Sequence, residues 1–293
     1  MTVPDPLEKD AIRIRRVYRQ KGLTPSVIAA FQKVIGRNYR INGRILPWRE
    51  TYDPYRILVS EFMLQQTPVE RVISYYPRFL ERFPDFPALA RSTIPEVMMV
   101  WKGLGYNRRA LSLRETARIV MDEHRGILPN RDELLRKMPG IGKATAAALS
   151  AFAFNHPSVL LETNIRTVFI HFFFKGSVKV YDRDIIPLIE ATLPPEDPRD
   201  WYYSLMDYGV LLKKKIGNLN RHGAAYHTQP RFEGSDRQVR GRILALFLES
   251  PQWEERELQN QMTISPERLR TILGRLEEEG FLVKEGTWWE FRS

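Results

Sequence analysis

Glu61 is the first residue whose position asks for a chemical explanation, because it interrupts the apolar run Ile57-Leu58-Val59-Ser60-Glu61-Phe62-Met63. A carboxylate in such surroundings is costly to desolvate unless it is paired, hydrogen-bonded or protonated, and a protonated carboxyl is what general acid catalysis requires. The competing reading is a glutamate facing solvent from an amphipathic helix. A second cluster, Met138-Pro139-Gly140-Ile141-Gly142-Lys143-Ala144-Thr145-Ala146, lies between an amphipathic helix pattern and one of small apolar residues. Gly140 and Gly142 are expected to allow a tight turn with positive φ. The next helix would then present unpaired backbone N–H groups able to hold a phosphate without reading base sequence. Lys143 adds charge at the same spot, so the segment reads as the hairpin of a helix-hairpin-helix motif. An ordinary helix-turn-helix closed by a C-cap glycine is the bland alternative.

Three motifs share one order and spacing: Ser60-Glu61 through Thr67, Gly103-Leu104-Gly105-Tyr106, and Pro139 through Ala146. In that order the chain resembles the MutY adenine DNA glycosylases over about residues 40–212. The first two motifs are specific to that branch, whereas the hairpin is shared with endonuclease III. The resemblance implies that a base is flipped out of the duplex into a pocket between two helical lobes, since its glycosidic bond is inaccessible in the stack. It makes Glu61 the acid that protonates the departing adenine, Gln66 the residue wedged into the gap, and Tyr106 the aromatic beside the opposite base. Gln65, Gly140, Gly142, Lys143, Thr145 and Asn164 are the further DNA-binding positions, and Arg44, Leu46, Trp48, Val69 and Asp207 are expected at or near the base pocket. For Trp48 and Tyr106 core packing competes with DNA contact; for Asp207 a cap or salt bridge competes with the pocket.

The resemblance also brings departures. Glu162, in Leu160-Leu161-Glu162-Thr163-Asn164, stands where the family has aspartate. A carboxylate there would stabilise the oxocarbenium-like sugar cation or position water, with one methylene of extra reach. Endonuclease III has a lysine where this chain has Ala144, so strand cleavage through a Schiff base is not expected. The chain has no Cys, which excludes disulfides and a cysteine-held iron–sulfur cluster; no metal and no cofactor is expected. The segment after Met206-Asp207-Tyr208-Gly209 runs into lysines instead of cluster ligands, and the tail is too short for the family's domain that recognises 8-oxoguanine.

The elements that must position these residues are mostly helical. At 293 residues, 43% hydrophobic and 27% charged, with 45 Lys plus Arg against 35 Asp plus Glu, the chain reads as globular and basic, suited to a polyanion. Helices are expected at 54–66, 68–82, 95–101, 107–125, 130–137, 143–154, 163–173, 182–193 and 198–213, with no strand pattern before residue 280. The fold class is all-α: a two-lobed helix-hairpin-helix glycosylase core with a C-terminal winged helix-turn-helix. The expected domains are a basic arm (1–23), the core (24–212), a basic linker (213–235) and the winged helix (236–293). In the last, Arg268, Arg270 and Arg275 are the candidate DNA contacts, against a packing or dimerisation role. The sequence therefore points to a monofunctional glycosylase in base excision repair, removing adenine opposite guanine or 8-oxoguanine from double-stranded DNA. It would act as a monomer with no membrane association, cytoplasmic on the nucleoid or nuclear in a eukaryote. A mismatch glycosylase for thymine, uracil or hypoxanthine and a catalytically silent DNA-binding protein are the rivals; protein partners leave no signal.

Overall fold

The computed structural model describes residues 6–224 and 228–292; residues 1–5 of the expected arm, 225–227 of the expected linker and Ser293 lie outside the described residues. The chain forms two compact units, Met1–Tyr52 with Gly142–Thr228, and Asp53–Ile141 with Gln229–Ser293. Most helix starts follow from local chemistry. Thr24, Asp53 and Ser265 are N-caps whose side chains accept backbone N–H bonds, each followed by proline in the first turn, where its missing donor costs nothing.

The first unit is built around Phe31 of helix Pro25–Asn42, whose ring meets Phe169, Phe172, Phe173 and Trp201 edge-on at 5.0–5.7 Å. These come from helices Thr163–Phe173 and Pro198–Ile216, which pack against each other. Gly209 makes that packing possible: a Cβ there would stand 2.3 Å from the carbonyl oxygen of Asn164. Helix Pro6–Lys21, read from the sequence as a basic arm or short helix, is pinned to this unit by Arg15, which donates to the His171 carbonyl at 2.7 Å.

The second unit contains helices Pro54–Leu64, Val69–Arg82, Ile94–Trp101 and Arg108–His124 around Phe62, Phe79 and Trp101, all fully buried. Its C-terminal part has helices Asp236–Glu249, Glu255–Gln261 and Pro266–Glu278 with a three-stranded antiparallel sheet, the arrangement of a winged helix. Strand Trp288–Phe291 is central, flanked by Leu282–Glu285 and by Gln252–Glu254. The strand at 252–254 corrects the expectation of none before residue 280: three residues are too short to show alternation, and the pairing partner lies far along the chain. Helix Asp236–Glu249 packs on helix Ile94–Trp101, so the winged helix and the middle helices form one unit.

Candidate functional site

In the second unit the acid-bearing helix ends in a buried clamp. Glu61 lies half-buried on helix Pro54–Leu64. The carbonyls that close this helix would be left without intrahelical donors. Arg109 supplies them: its Nη1 donates to the carbonyls of Phe62 and Met63, both at 2.8 Å, and to that of Gln65. Its Nη2 reaches the Thr67 hydroxyl and the Gly105 carbonyl, both at 2.9 Å. Burial lowers this guanidinium's pKa to about 10, with the Tyr106 phenol working the other way, and it stays cationic at neutral pH. One side chain thus fixes both loops that carry Gln66 and Tyr106. Sequence reasoning missed Arg109, because an arginine in the first turn of an amphipathic helix looks like a surface residue and its acceptors are backbone atoms.

Gln66 and Tyr106 share an unusual backbone state, φ +56° and +50°, a left-handed conformation uncommon outside glycine and often found at functional sites. Gln66 is exposed and Tyr106 half-buried. The Tyr106 hydroxyl accepts from Gln229 Nε2 and from Arg237 Nη1, the latter at 3.1 Å. Gln65 Nε2 donates to the Gly140 carbonyl at 3.2 Å, so it braces the hairpin. Val69 is half-buried in the first turn of helix Val69–Arg82.

The hairpin glycines separate into two roles. Gly140 has φ +77°, and a Cβ there would meet Phe62 at 2.7 Å and Ser112 at 2.9 Å, so the fold itself demands glycine. Gly142 corrects the expectation of a positive φ: it sits at φ −88°, ψ −179°, as the N-cap of helix Lys143–Phe154. A Cβ there meets nothing within 4 Å. No side chain caps this helix, and Gly142, Lys143 and Ala144 are exposed while Thr145 is half-buried. A cation heading a helix opposes the helix dipole unless an anion comes to meet it.

In the first unit, helix Pro198–Ile216 organises the remaining residues. Asp207, its side chain 2% exposed, accepts from the Arg44 backbone N–H at 2.8 Å, from Arg44 Nε at 2.7 Å, and from both terminal nitrogens of Arg49 at 2.8 Å. Burial opposes its ionised form, but the bonds and charges of Arg49 and then Arg44 outweigh it and hold the carboxyl below its usual range. Both oxygens are occupied, so Asp207 anchors segment 44–49. Leu46 and Trp48, each 4% exposed, are core residues of that segment. Arg49, to which the sequence assigns no role, lies 4.4 Å from the Tyr203 ring centre.

Glu162 is the N-cap of helix Thr163–Phe173. One carboxylate oxygen accepts the Ile165 N–H at 2.8 Å, the other the Asn164 side-chain amide at 3.2 Å. Burial pushes this carboxyl up from the usual range, against the N–H groups of Asn164 and Ile165 and the charge of Arg166. Asn164 therefore steadies Glu162. Glu61 and Glu162 belong to different units. Arg268, Arg270 and Arg275, the candidate contacts of the winged helix, each bond a carboxylate of a neighbouring helix: Asp236, Glu255 and Asp236 respectively. They tie the three helices together, as a packing role requires. Among the described residues no cluster of metal-ligating side chains occurs, and no helix is long and apolar enough to cross a membrane.

Residues 59–183 match the family described as HhH-GPD superfamily base excision DNA repair protein. The chain is 35% identical over 191 residues to an adenine DNA glycosylase of Buchnera aphidicola, covering 64% of this chain and 54% of that protein. It is 33% identical over 226 residues to the adenine DNA glycosylase of Mycobacterium tuberculosis, covering 70% and 74%. The chain thus spans about half the length of the first relative and three quarters of the second. A solved structure of a thermostable thymine-DNA glycosylase superposes with a TM-score of 0.56 at 26% identity, over 63% of this chain and 86% of that one.

Proposed function

The chain belongs to the adenine DNA glycosylase family of helix-hairpin-helix base excision repair proteins, and from that premise we propose that it hydrolyses the N-glycosidic bond of a flipped, mispaired adenine. The observation that carries this reading is the Arg109 clamp, which binds the end of the Glu61 helix to the loops of Gln66 and Tyr106. It couples the acid to the two side chains that would hold the duplex open. Glu61 donates a proton to the adenine ring so that the base leaves neutral, a contribution of about 10² to 10⁴ in rate. The Glu162 carboxylate, fixed at a helix N-terminus, stabilises the cationic sugar and orients water. The backbone N–H groups of the exposed residues Lys143 and Ala144, with the Lys143 ammonium, hold a phosphate of double-stranded DNA. The base opposite is guanine or 8-oxoguanine, and the enzyme works wherever the genome lies, on the nucleoid or in a nucleus.

The test is base release from duplexes with A opposite G and A opposite 8-oxoguanine, beside G:T and G:U pairs, followed by alkali. Strand breaks above background on the adenine duplexes, lost in Glu61→Gln with duplex binding retained, are the expected result; none on any duplex would overturn the reading. Cleavage of G:T alone would favour a thymine substrate, which the likeness to the thymine-DNA glycosylase supports. With Ala144 in the lysine position, borohydride should trap no covalent complex with DNA in the wild type, and Ala144→Lys should create one, read on a denaturing gel.

A further inference from the structure

Gln66 and Tyr106, the two side chains assigned to the opened duplex, are already bonded to the chain's own residues. Within the second unit, segment 229–235 reaches both loops. Gln229 bridges them, its Nε2 donating to the Gln66 side-chain oxygen at 3.4 Å and to the Tyr106 hydroxyl. Arg237 completes the tie, with Nη1 on the same hydroxyl at 3.1 Å and Nη2 on the Pro230 carbonyl at 2.7 Å. A cation in the first turn of helix Asp236–Glu249 opposes the helix dipole, and these two bonds account for its place there.

The two ends of the segment are held differently. At the far end the Gly234 carbonyl accepts from Arg268 Nη2 and the Gly234 N–H donates to the Gln238 side chain, both at 2.7 Å. Those bonds fix it to helices Asp236–Glu249 and Pro266–Glu278. At the near end the ties are the polar ones of Gln229 and Arg237. Residues 229–234 are all exposed, so little buried surface resists lifting that end, and segments of this kind open at low free energy.

We infer that segment 229–235 is a strap that caps Gln66 and Tyr106 until DNA displaces it. The inference rests on the glycosylase reading, in which both side chains enter the duplex. Neither can enter a base stack while the Gln229 amide spans them, because that amide occupies the polar tips that lead the way in. DNA binding therefore breaks the Gln229 bonds, and the near end swings away about residues 234–238, whose own bonds stay intact. The bonds lost oppose every encounter, so the strap weakens DNA binding and keeps the two side chains covered between encounters.

Trypsin can test this on the full chain carrying Glu61→Gln, with fragments 1–231 and 232–293 followed by mass spectrometry and normalised to cuts elsewhere. A saturating duplex with adenine opposite guanine, its binding followed by anisotropy, should speed the cut after Arg231 several-fold, because the strap is freed. A segment that gripped the duplex would be protected instead. Adding Gln229→Ala, at an exposed residue, should speed the same cut without DNA. It should also raise affinity for the duplex about 5-fold, the scale of one neutral hydrogen bond that no longer has to break. No gain in cutting on the duplex, or no gain in affinity in Gln229→Ala, overturns the proposal. With Glu61 intact, a chain that frees its strap but releases no base fails only as a glycosylase, and one that releases adenine with the strap still tied fails only here.

Discussion

Glu162 shows how one side chain can serve folding and chemistry with the same atoms. Its two oxygens hold the Ile165 N–H and the Asn164 amide, so the carboxylate is both a helix cap and a charge fixed in place. Aspartate or asparagine caps better than most residues, and a glutamate needs its longer chain folded back to do the same work. Burial raises its pKa, which sets the sign of its pH effect. The folded state favours the protonated form more than the unfolded chain does, so its stabilising contribution is complete below the ordinary carboxylate pKa and is lost as pH rises through the raised value. Glu162→Gln, neutral and still able to accept at the cap, should therefore melt no lower than the wild type at pH 7, while base release falls by about 10² or more. Glu162→Ala should lose about 1 kcal/mol with the cap. Calorimetry beside the release assay checks both; activity retained in Glu162→Gln would leave Glu162 as a cap alone. The sequence made Glu61 and Glu162 legible, one by interrupting an apolar run and one by its place in a family motif. It hid Arg109, whose partners are carbonyls brought together from residues 62–65 and 104–105 only when two helices meet.

At the scale of the element, the hairpin turns on two glycines that the sequence presents alike. Gly140→Ala would strain a positive φ and push a methyl into Phe62, so a loss of about 1–3 kcal/mol is expected in a denaturant titration. Gly142→Ser should do the reverse for stability, because a serine N-cap supplies the missing acceptor and adds a few tenths of a kcal/mol. The same hydroxyl would occupy the N–H groups proposed to hold a phosphate. Gly142→Ser is accordingly expected to fold at least as well and to bind DNA several-fold more weakly. Undiminished DNA affinity in that variant would remove the phosphate from this helix end. Helix limits were legible elsewhere for the same local reasons: Thr24-Pro25, Asp53-Pro54 and Ser265-Pro266 each write a start into neighbouring residues. Strand Gln252–Glu254 was not, since it is defined by hydrogen bonds to residues 288–290.

Across the whole molecule, distant segments are joined by few but well-buried polar ties. Asp207 links residues 44 and 49 to a helix more than 150 positions away, and removing one partner of such a buried pair costs about 3–5 kcal/mol. Its depressed pKa gives the opposite sign to Glu162: the contribution is present above the ordinary aspartate pKa of about 3.9 and is lost as pH falls through the lowered value. The melting gap between wild type and Asp207→Asn should hold steady from about pH 7 to 5 and close in strong acid, and a gap unchanged there would assign the stability elsewhere. Composition, capping and periodicity, all properties of near neighbours in the chain, determined by themselves that this is a basic, helical protein with a glycine hairpin and a candidate acid at Glu61, while Glu162 was legible only through its place in the family motif. Only the tertiary structure decided that Asp207 is spent on Arg44 and Arg49, that Arg109 clamps the site, and that residues 229–293 fold with residues 53–141. Those outcomes depend on contacts between residues far apart in sequence, whose energies no local pattern encodes.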